Sequence, residues 1–280
     1  MAKKTKPSRL DEEAVVSALI QEGYPGEFSG KLAFECFRDM LDDERRSILD
    51  NSELFDDSSR LRTWYRLPRS PKEAHMLFGM DAPRVLKTFL KVLAILPSVA
   101  PFRTIVDLGA GTGSLARLIS QDWPDCRIIC TERERNLVDI GRAASKEFPN
   151  IEFVEADHCS LPETGVSGDV LISVIGFDLV PQTSNAASAP SQVEGIFKAW
   201  HEISEADAKL ICIARIPTPD ALRSFLSEAN RAGWAVDLGF SDFVYADQER
   251  FPALLFTRTE ADTQDVDPQE VDFFWTLFGF

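Results

Sequence analysis

The sequence has few histidines, a deficit of positive charge and no long apolar run. Three histidines in 280 residues, His75, His158 and His201, form no pair with metal-ligand spacing, so no metal site is expected. Lys and Arg total 30 against 45 Asp and Glu, a net charge of -15. Such a surface repels phosphate backbones and anionic lipid, which argues against bulk nucleic-acid binding. The longest apolar stretches, such as residues 93–96 and 170–177, are far too short to span a bilayer. The basic start, Met1-Ala-Lys-Lys-Thr-Lys-Pro, precedes no apolar run and is not read as a secretory signal. Five cysteines, an odd number without a CxxC pair, read as reduced thiols and point to a cytoplasmic location. No internal repeat or long low-complexity tract is visible. The remaining composition, 44% hydrophobic and 27% charged, is that of a globular chain with a sizeable core.

Three regions differ in texture. Residues 1–80 read as helical and irregular. Val15, Val16, Leu19 and Ile20 mark one face of a helix opened by Asp11, Glu12 and Glu13. A second helix is expected after Ser29-Gly30, and the charge run Asp42-Asp43-Glu44-Arg45-Arg46 reads as a solvated face. Ser70-Pro71 and Gly79-Met80-Asp81 read as loop punctuation before a helix over residues 82–96.

Residues 81–259 have a different rhythm. Short β-branched runs at 104–108, 127–130, 151–154, 169–175 and 210–214 alternate with helical patterns at 135–148, 192–203 and 220–233. Strand alternating with helix predicts a parallel sheet covered on both faces. Residues 234–246 and 253–257 then read as two strands of an antiparallel hairpin with no helix between them. The tail, 260–280, carries six acids and no Lys or Arg before five aromatics in its last eight residues. Those aromatics must dock on the chain's own core or form an interface.

The strongest motif is Val106-Asp107-Leu108-Gly109-Ala110-Gly111-Thr112-Gly113-Ser114, a strand running through G-x-G-x-G into a helix. Glycines let the main chain turn sharply and meet a ligand, and the helix start presents N–H groups. A dinucleotide site calls for G-x-G-x-x-G, and a carboxylate such as Asp107 is awkward beside a pyrophosphate. It suits a ligand carrying an ammonium and a sulfonium. Glu132 ends the next strand, 25 residues on, where a carboxylate can accept from two ribose hydroxyls. Asp157, after the third strand, can accept from an adenine amine, with Glu155 or His158 as alternatives; His158 and Cys159 can flank the base.

On these residues, region 82–259 resembles a class I S-adenosylmethionine-dependent methyltransferase. The resemblance implies an α/β, Rossmann-like, mainly parallel seven-stranded sheet ending in an antiparallel hairpin, behind an N-terminal helical region. It implies S-adenosylmethionine as cofactor, held by Asp107, Gly109, Ala110, Gly111, Gly113, Glu132, Arg133, Asp157, His158 and Ile175. The segment after the fourth strand, Gly176-Phe177-Asp178-Leu179, is not the Asn/Asp-Pro-Pro-Tyr/Phe of amino-group methyltransferases, and the cysteine pair of pyrimidine C5 enzymes is missing. His158 and Asp178 are candidate bases. The loop 181–191 reads as a linker or an acceptor lid. Trp64, Tyr65, Leu77 and Phe78 either line an acceptor cavity or pack the N-terminal helices onto the core. The expected substrate is a small molecule methylated on oxygen or nitrogen. A protein or RNA substrate, a silent scaffold that binds a partner, and a dehydrogenase are the competing readings. A homodimer or protein partner would meet the N-terminal helices or the tail.

Overall fold

The computed structural model describes residues 10–26, 30–52, 57–175, 189–246, 249–260 and 266–278. The candidate base Asp178, and most of the expected lid loop, lie outside them.

The N-terminal part is helical: α1 (Glu12–Glu22), α2 (Gly30–Met40), α3 (Asp43–Ser52), α4 (Asp57–Tyr65), α5 (Pro71–Phe78) and α6 (Ala82–Val99). Asp11 caps α1 as an acceptor from the Ala14 N–H at 2.9 Å, and Val15 and Leu19 are buried. Ile20, expected on the buried face, is 43% exposed. Ser70-Pro71 does not punctuate a loop. Ser70 caps α5 through the Glu73 N–H, and Pro71 occupies the first turn, where its missing N–H costs nothing. Nor is the charge run at 42–46 wholly solvated. Arg45 is buried, donating to Glu73 at 2.8 Å and to the Leu67 carbonyl at 2.9 Å, so it staples α3 to α5.

The sheet follows: β1 (Thr104–Leu108), α7 (Ser114–Asp122), β2 (Arg127–Glu132), α8 (Arg135–Ala144), β3 (Ile151–Glu155), a 3-10 turn (His158–Thr164) and β4 (Gly168–Val174). Then come α9 (Ala189–Glu202), β5 (Ser204–Ile213), α10 (Pro219–Arg231), β6 (Trp234–Val236), β7 (Asp242–Ala246), β8 (Glu249–Arg258) and α11 (Pro268–Phe278). The lateral order is β3-β2-β1-β4-β5-β8-β6, with β7 also on β8. The first five strands are parallel and β8 is antiparallel to β5. The stretch read as one strand over 234–246 is broken by a turn in which the Asp237 carbonyl accepts from the Phe240 and Ser241 N–H groups. The two pieces pair with opposite ends of β8. Eight strands among the described residues thus fill seven lanes.

Period-two alternation sorts each strand between two cores. Val106, Leu108, Leu210 and Cys212 pack with Phe197 and Trp200 of α9 and Leu222 and Leu226 of α10. Ile105, Ile211 and Ile213 pack on the opposite face with α1, α6 and α7. Burial on both faces explains why these strands read as continuous apolar runs. The tail aromatics dock on this chain. Val271, Phe274 and Trp275 of α11 are buried, with Phe274 stacked on Phe243 at 5.0 Å and Arg250 lying 4.0 Å from the Trp275 ring.

Candidate active site

The carboxyl ends of β1 to β5 and the N-terminal helices enclose a cavity of about 600 Å³. One wall is the strand-edge machinery and the other is the helical layer. Of the ten residues predicted to hold a cofactor, nine line it: Asp107, Gly109, Ala110, Gly111, Glu132, Arg133, Asp157, His158 and Ile175.

The tenth, Gly113, faces away. A Cβ there would stand 2.6 Å from the Phe153 ring, and its φ is +75°. It is required by helix–strand packing and by its left-handed backbone. Gly109 and Gly111 are also left-handed, at φ +71° and +57°. A side chain at Gly111 would come within 3.2 Å of the Phe78 ring, and one at Gly109 would contact His158. The loop is therefore bare main chain between two rings. It is pinned from beneath, with the Gly109 and Ala110 N–H groups both donating to the Thr131 carbonyl at 2.9 Å.

The acids stand as follows. Asp107 is buried, and its Oδ2 makes no hydrogen bond with the described residues. Burial, reinforced by the charge of Glu132, pushes its pKa up to about 7. A buried orphan acceptor is costly unless a ligand supplies the donor. Glu132 accepts from the Gly111 N–H at 3.0 Å and the Glu134 N–H at 2.9 Å, one on each oxygen. Burial raises its pKa above the ordinary range despite those bonds. A carboxylate offers about four acceptor positions, so both oxygens keep capacity for hydroxyl donors. Asp157 accepts from the Cys159 N–H at 3.1 Å, with Arg133 at 3.7 Å, which sets it at the rim beside the third strand.

His158 stands edge-on to Trp200 with ring centroids 5.4 Å apart. Burial lowers its pKa to about 4, so the imidazole is neutral at pH 7. Ile175, after β4, has φ +59°, a strained conformation for a β-branched residue, held by its N–H donating to the Ile213 carbonyl at 2.7 Å. The other singled-out residues have structural places. Asp169 accepts from the Arg103 and Thr104 N–H groups at 2.7 and 2.8 Å, tying β4 to the start of β1. His201 bonds the Thr259 carbonyl at 3.0 Å beside Trp234. Cys126 and Cys130 are buried thiols.

Trp64, Tyr65, Leu77 and Phe78 all reach the cavity wall. Sequence reasoning missed what anchors their layer to the glycine loop. Glu22, at the end of α1, accepts from Arg117 at 2.7 Å and from the Ser114 hydroxyl at 2.6 Å. Burial works to raise the Glu22 pKa, but Arg117 and Ser114 outweigh it and hold the carboxyl below its usual range. His75 bonds the Glu22 carbonyl through Nδ1 and Thr112 through Nε2 at 3.2 Å. A carbonyl only accepts, so Nδ1 carries the proton and the Thr112 hydroxyl donates to Nε2. No local spacing signals these contacts, because the partners lie 37 to 95 residues apart.

Among the described residues, no group of three or more His, Cys, Asp or Glu is placed to hold a metal ion, and no helix is long and apolar enough to cross a membrane. Residues 105–193 match the family model described as "Methyltransferase domain". Solved structures are similar at low identity. TrmN from Thermus thermophilus is 14% identical over 62% of this chain and 48% of that one, with a TM-score of 0.45. The chain thus spans less than half of TrmN's length. A TehB-like SAM-dependent methyltransferase from Corynebacterium glutamicum is 18% identical over 59% and 85% of the two chains, TM-score 0.43. A putative RNA methyltransferase from Pyrococcus horikoshii is 16% identical over 80% and 100%, TM-score 0.45.

Proposed function

We propose that this chain, an S-adenosylmethionine-dependent methyltransferase by the domain it carries, methylates a small molecule on oxygen or nitrogen. The observation that carries the substrate class is the cavity itself. Its donor wall faces a roof of aromatic and aliphatic side chains from α4 and α5, and its volume of about 600 Å³ is that of a small-ligand site. The net charge of -15 weighs against an RNA acceptor.

The site suits the donor on its own terms. The unmatched Oδ2 of Asp107 takes the ammonium, and ligand charge stabilises the ionised form that burial disfavours. The two oxygens of Glu132 take the ribose hydroxyls, and Asp157 takes the adenine amine. The bare main chain at Gly109 to Gly111 admits the nucleoside without a side-chain clash. The bound donor supplies a methyl group on a sulfonium, whose departure leaves a neutral thioether. Little covalent work falls to the protein, so holding the acceptor in line supplies much of the rate. His158, neutral and with a low pKa, serves as a hydrogen-bonding partner at the cavity wall and not as a strong base.

Calorimetry with S-adenosylmethionine and NAD separates a methyltransferase from a dehydrogenase; S-adenosylmethionine binds and NAD does not. Release of S-adenosylhomocysteine over a pool of small molecules then tests the acceptor class. Donor binding without turnover on any of them shifts the reading to a macromolecular acceptor or to a silent scaffold. The exposed Tyr245 on β7 and Phe273 and Leu277 on α11 favour the latter as the second reading.

A further inference from the structure

The cavity is electrically divided. Among the described residues, every acid in its wall except Asp81 belongs to β1, β2, β3 or the turns after them, on the donor side: Asp107, Glu132, Glu134 and Asp157. Away from those residues the wall carries Arg60, Arg62, Arg84 and Arg215. In a chain with 45 acids and 30 bases, four arginines against one acid among the described residues of half a pocket is a marked local reversal.

Two of the four border the same ring. The guanidinium carbons of Arg84, in the first turn of α6, and Arg215, just after β5, each lie 5.8 Å from the centroid of the same buried ring, Phe251. Arg60 lies 5.6 Å from the Trp64 ring. Arg84 is bonded to Asp81, and Arg215 to Glu249 at 2.9 Å. A guanidinium has five N–H donors in a fixed fork, which lets it serve several partners at once. The position is also right. β5 is two lanes from β1, which places Arg215 about 10 Å sideways from the Asp107 strand end, beyond the donor residues. The same wall carries the apolar side chains of Phe78, Met80, Val85 and Phe89.

Resting on the methyltransferase reading, we propose that the acceptor is a ring-sized apolar molecule bearing a carboxylate. Arg84 and Arg215 grip that carboxylate over Phe251, while the rest of the molecule lies along the aromatic roof with its nucleophile toward the donor wall. Arginine suits the task because its fork meets a carboxylate through two parallel hydrogen bonds.

The test uses the full chain saturated with S-adenosylhomocysteine. Benzoate, the three hydroxybenzoates, cinnamate and indole-3-carboxylate are each titrated beside the corresponding primary amide. At least one acid should bind about tenfold or more tightly than its amide, and the advantage should shrink as salt rises. In Arg215→Gln, and separately in Arg84→Gln, that advantage should fall to within about threefold of parity, with S-adenosylhomocysteine affinity unchanged. Arg215 is the safer variant, since its side chain is 45% exposed and an exposed ion pair contributes little to stability. The proposal is overturned if no acid outbinds its amide, whether both bind or neither does. An acid preference that survives both substitutions overturns it equally. If S-adenosylhomocysteine itself fails to bind, the donor reading has failed instead.

Discussion

The two walls of the cavity are built in opposite ways. The donor wall is local: Asp107 to Ser114 runs from β1 through the glycine loop into α7 within eight residues, Glu132 ends β2, and Asp157 stands two residues past β3. The roof is assembled from distant pieces. The helical layer reaches the loop through Phe78 over Gly111 and His75 on Thr112, both from α5, and through Glu22 of α1 on Arg117. The donor wall carries one unmet acid, Asp107, and raised pKa values at Asp107 and Glu132, while the contacts that anchor the roof are satisfied hydrogen bonds and ion pairs. The difference assigns chemistry to the first and enclosure to the second. A buried group kept at a cost points to a ligand, whereas a satisfied network points to architecture.

This contrast can be broken most forcefully at the anchor. Glu22→Ala leaves Arg117 buried without its carboxylate and should cost about 3–5 kcal/mol in urea unfolding. A loss below about 1 kcal/mol would mean that the roof is not held by this contact. Next comes Asp107→Asn, which should weaken S-adenosylmethionine binding about 100-fold, near 2.7 kcal/mol, by calorimetry. The same variant should melt higher at pH 8. In the folded protein Asp107 holds its proton up to about pH 7, so between pH 4 and 7 the native state binds more protons than the unfolded one. Stability from this group therefore falls as pH rises through that window, by up to about 1.4 kcal/mol per unit, and asparagine removes the loss. A melting point unchanged at pH 8 would count against the buried-acid picture.

A third, smaller effect is the pH dependence of donor binding. Affinity for S-adenosylmethionine should drop about tenfold from pH 8 to pH 6 as Asp107 takes up its proton, and Asp107→Asn should flatten the profile. A wild-type profile flat over that range removes Asp107 from the ammonium site. Smallest is Arg38→Ala. Its pair with Asp50 at 2.8 Å is about half exposed on both sides, so its loss should cost under about 1 kcal/mol and leave donor affinity unmoved.

Much of the sheet was legible because period-two burial writes itself directly into the chain. The strands predicted at 104–108 and 151–154 match β1 and β3 to within a residue, and the carboxylates at the strand ends follow from their place in line. Errors fell where local patterns mislead. Arg45 sits in a charge run yet is buried, because Glu73, 28 residues later, meets its guanidinium. Gly113 reads as part of a ligand loop, but its constraint comes from Phe153 across the helix–strand interface. The break in residues 234–246 was hidden because both halves are apolar enough for one strand; the turn signal is Asp237, whose carbonyl and Oδ1 accept from the Gly239, Phe240 and Ser241 N–H groups. The helix at 268–278 was masked by its own aromatics, which gave no choice between docking and display until Phe274 and Trp275 were seen against Phe243.

By itself, then, the amino-acid order determined the strand rhythm, the glycine turn and the acids that line one wall of the cavity. Each of those rests on neighbours within one strand or one turn, where backbone geometry sets direction. Only the tertiary structure decided that α4 and α5 roof the loop, that His75 and Glu22 anchor the helical layer to it, and that Arg84 and Arg215 border one ring. Those meetings depend on contacts between residues dozens of positions apart, whose direction no local periodicity records.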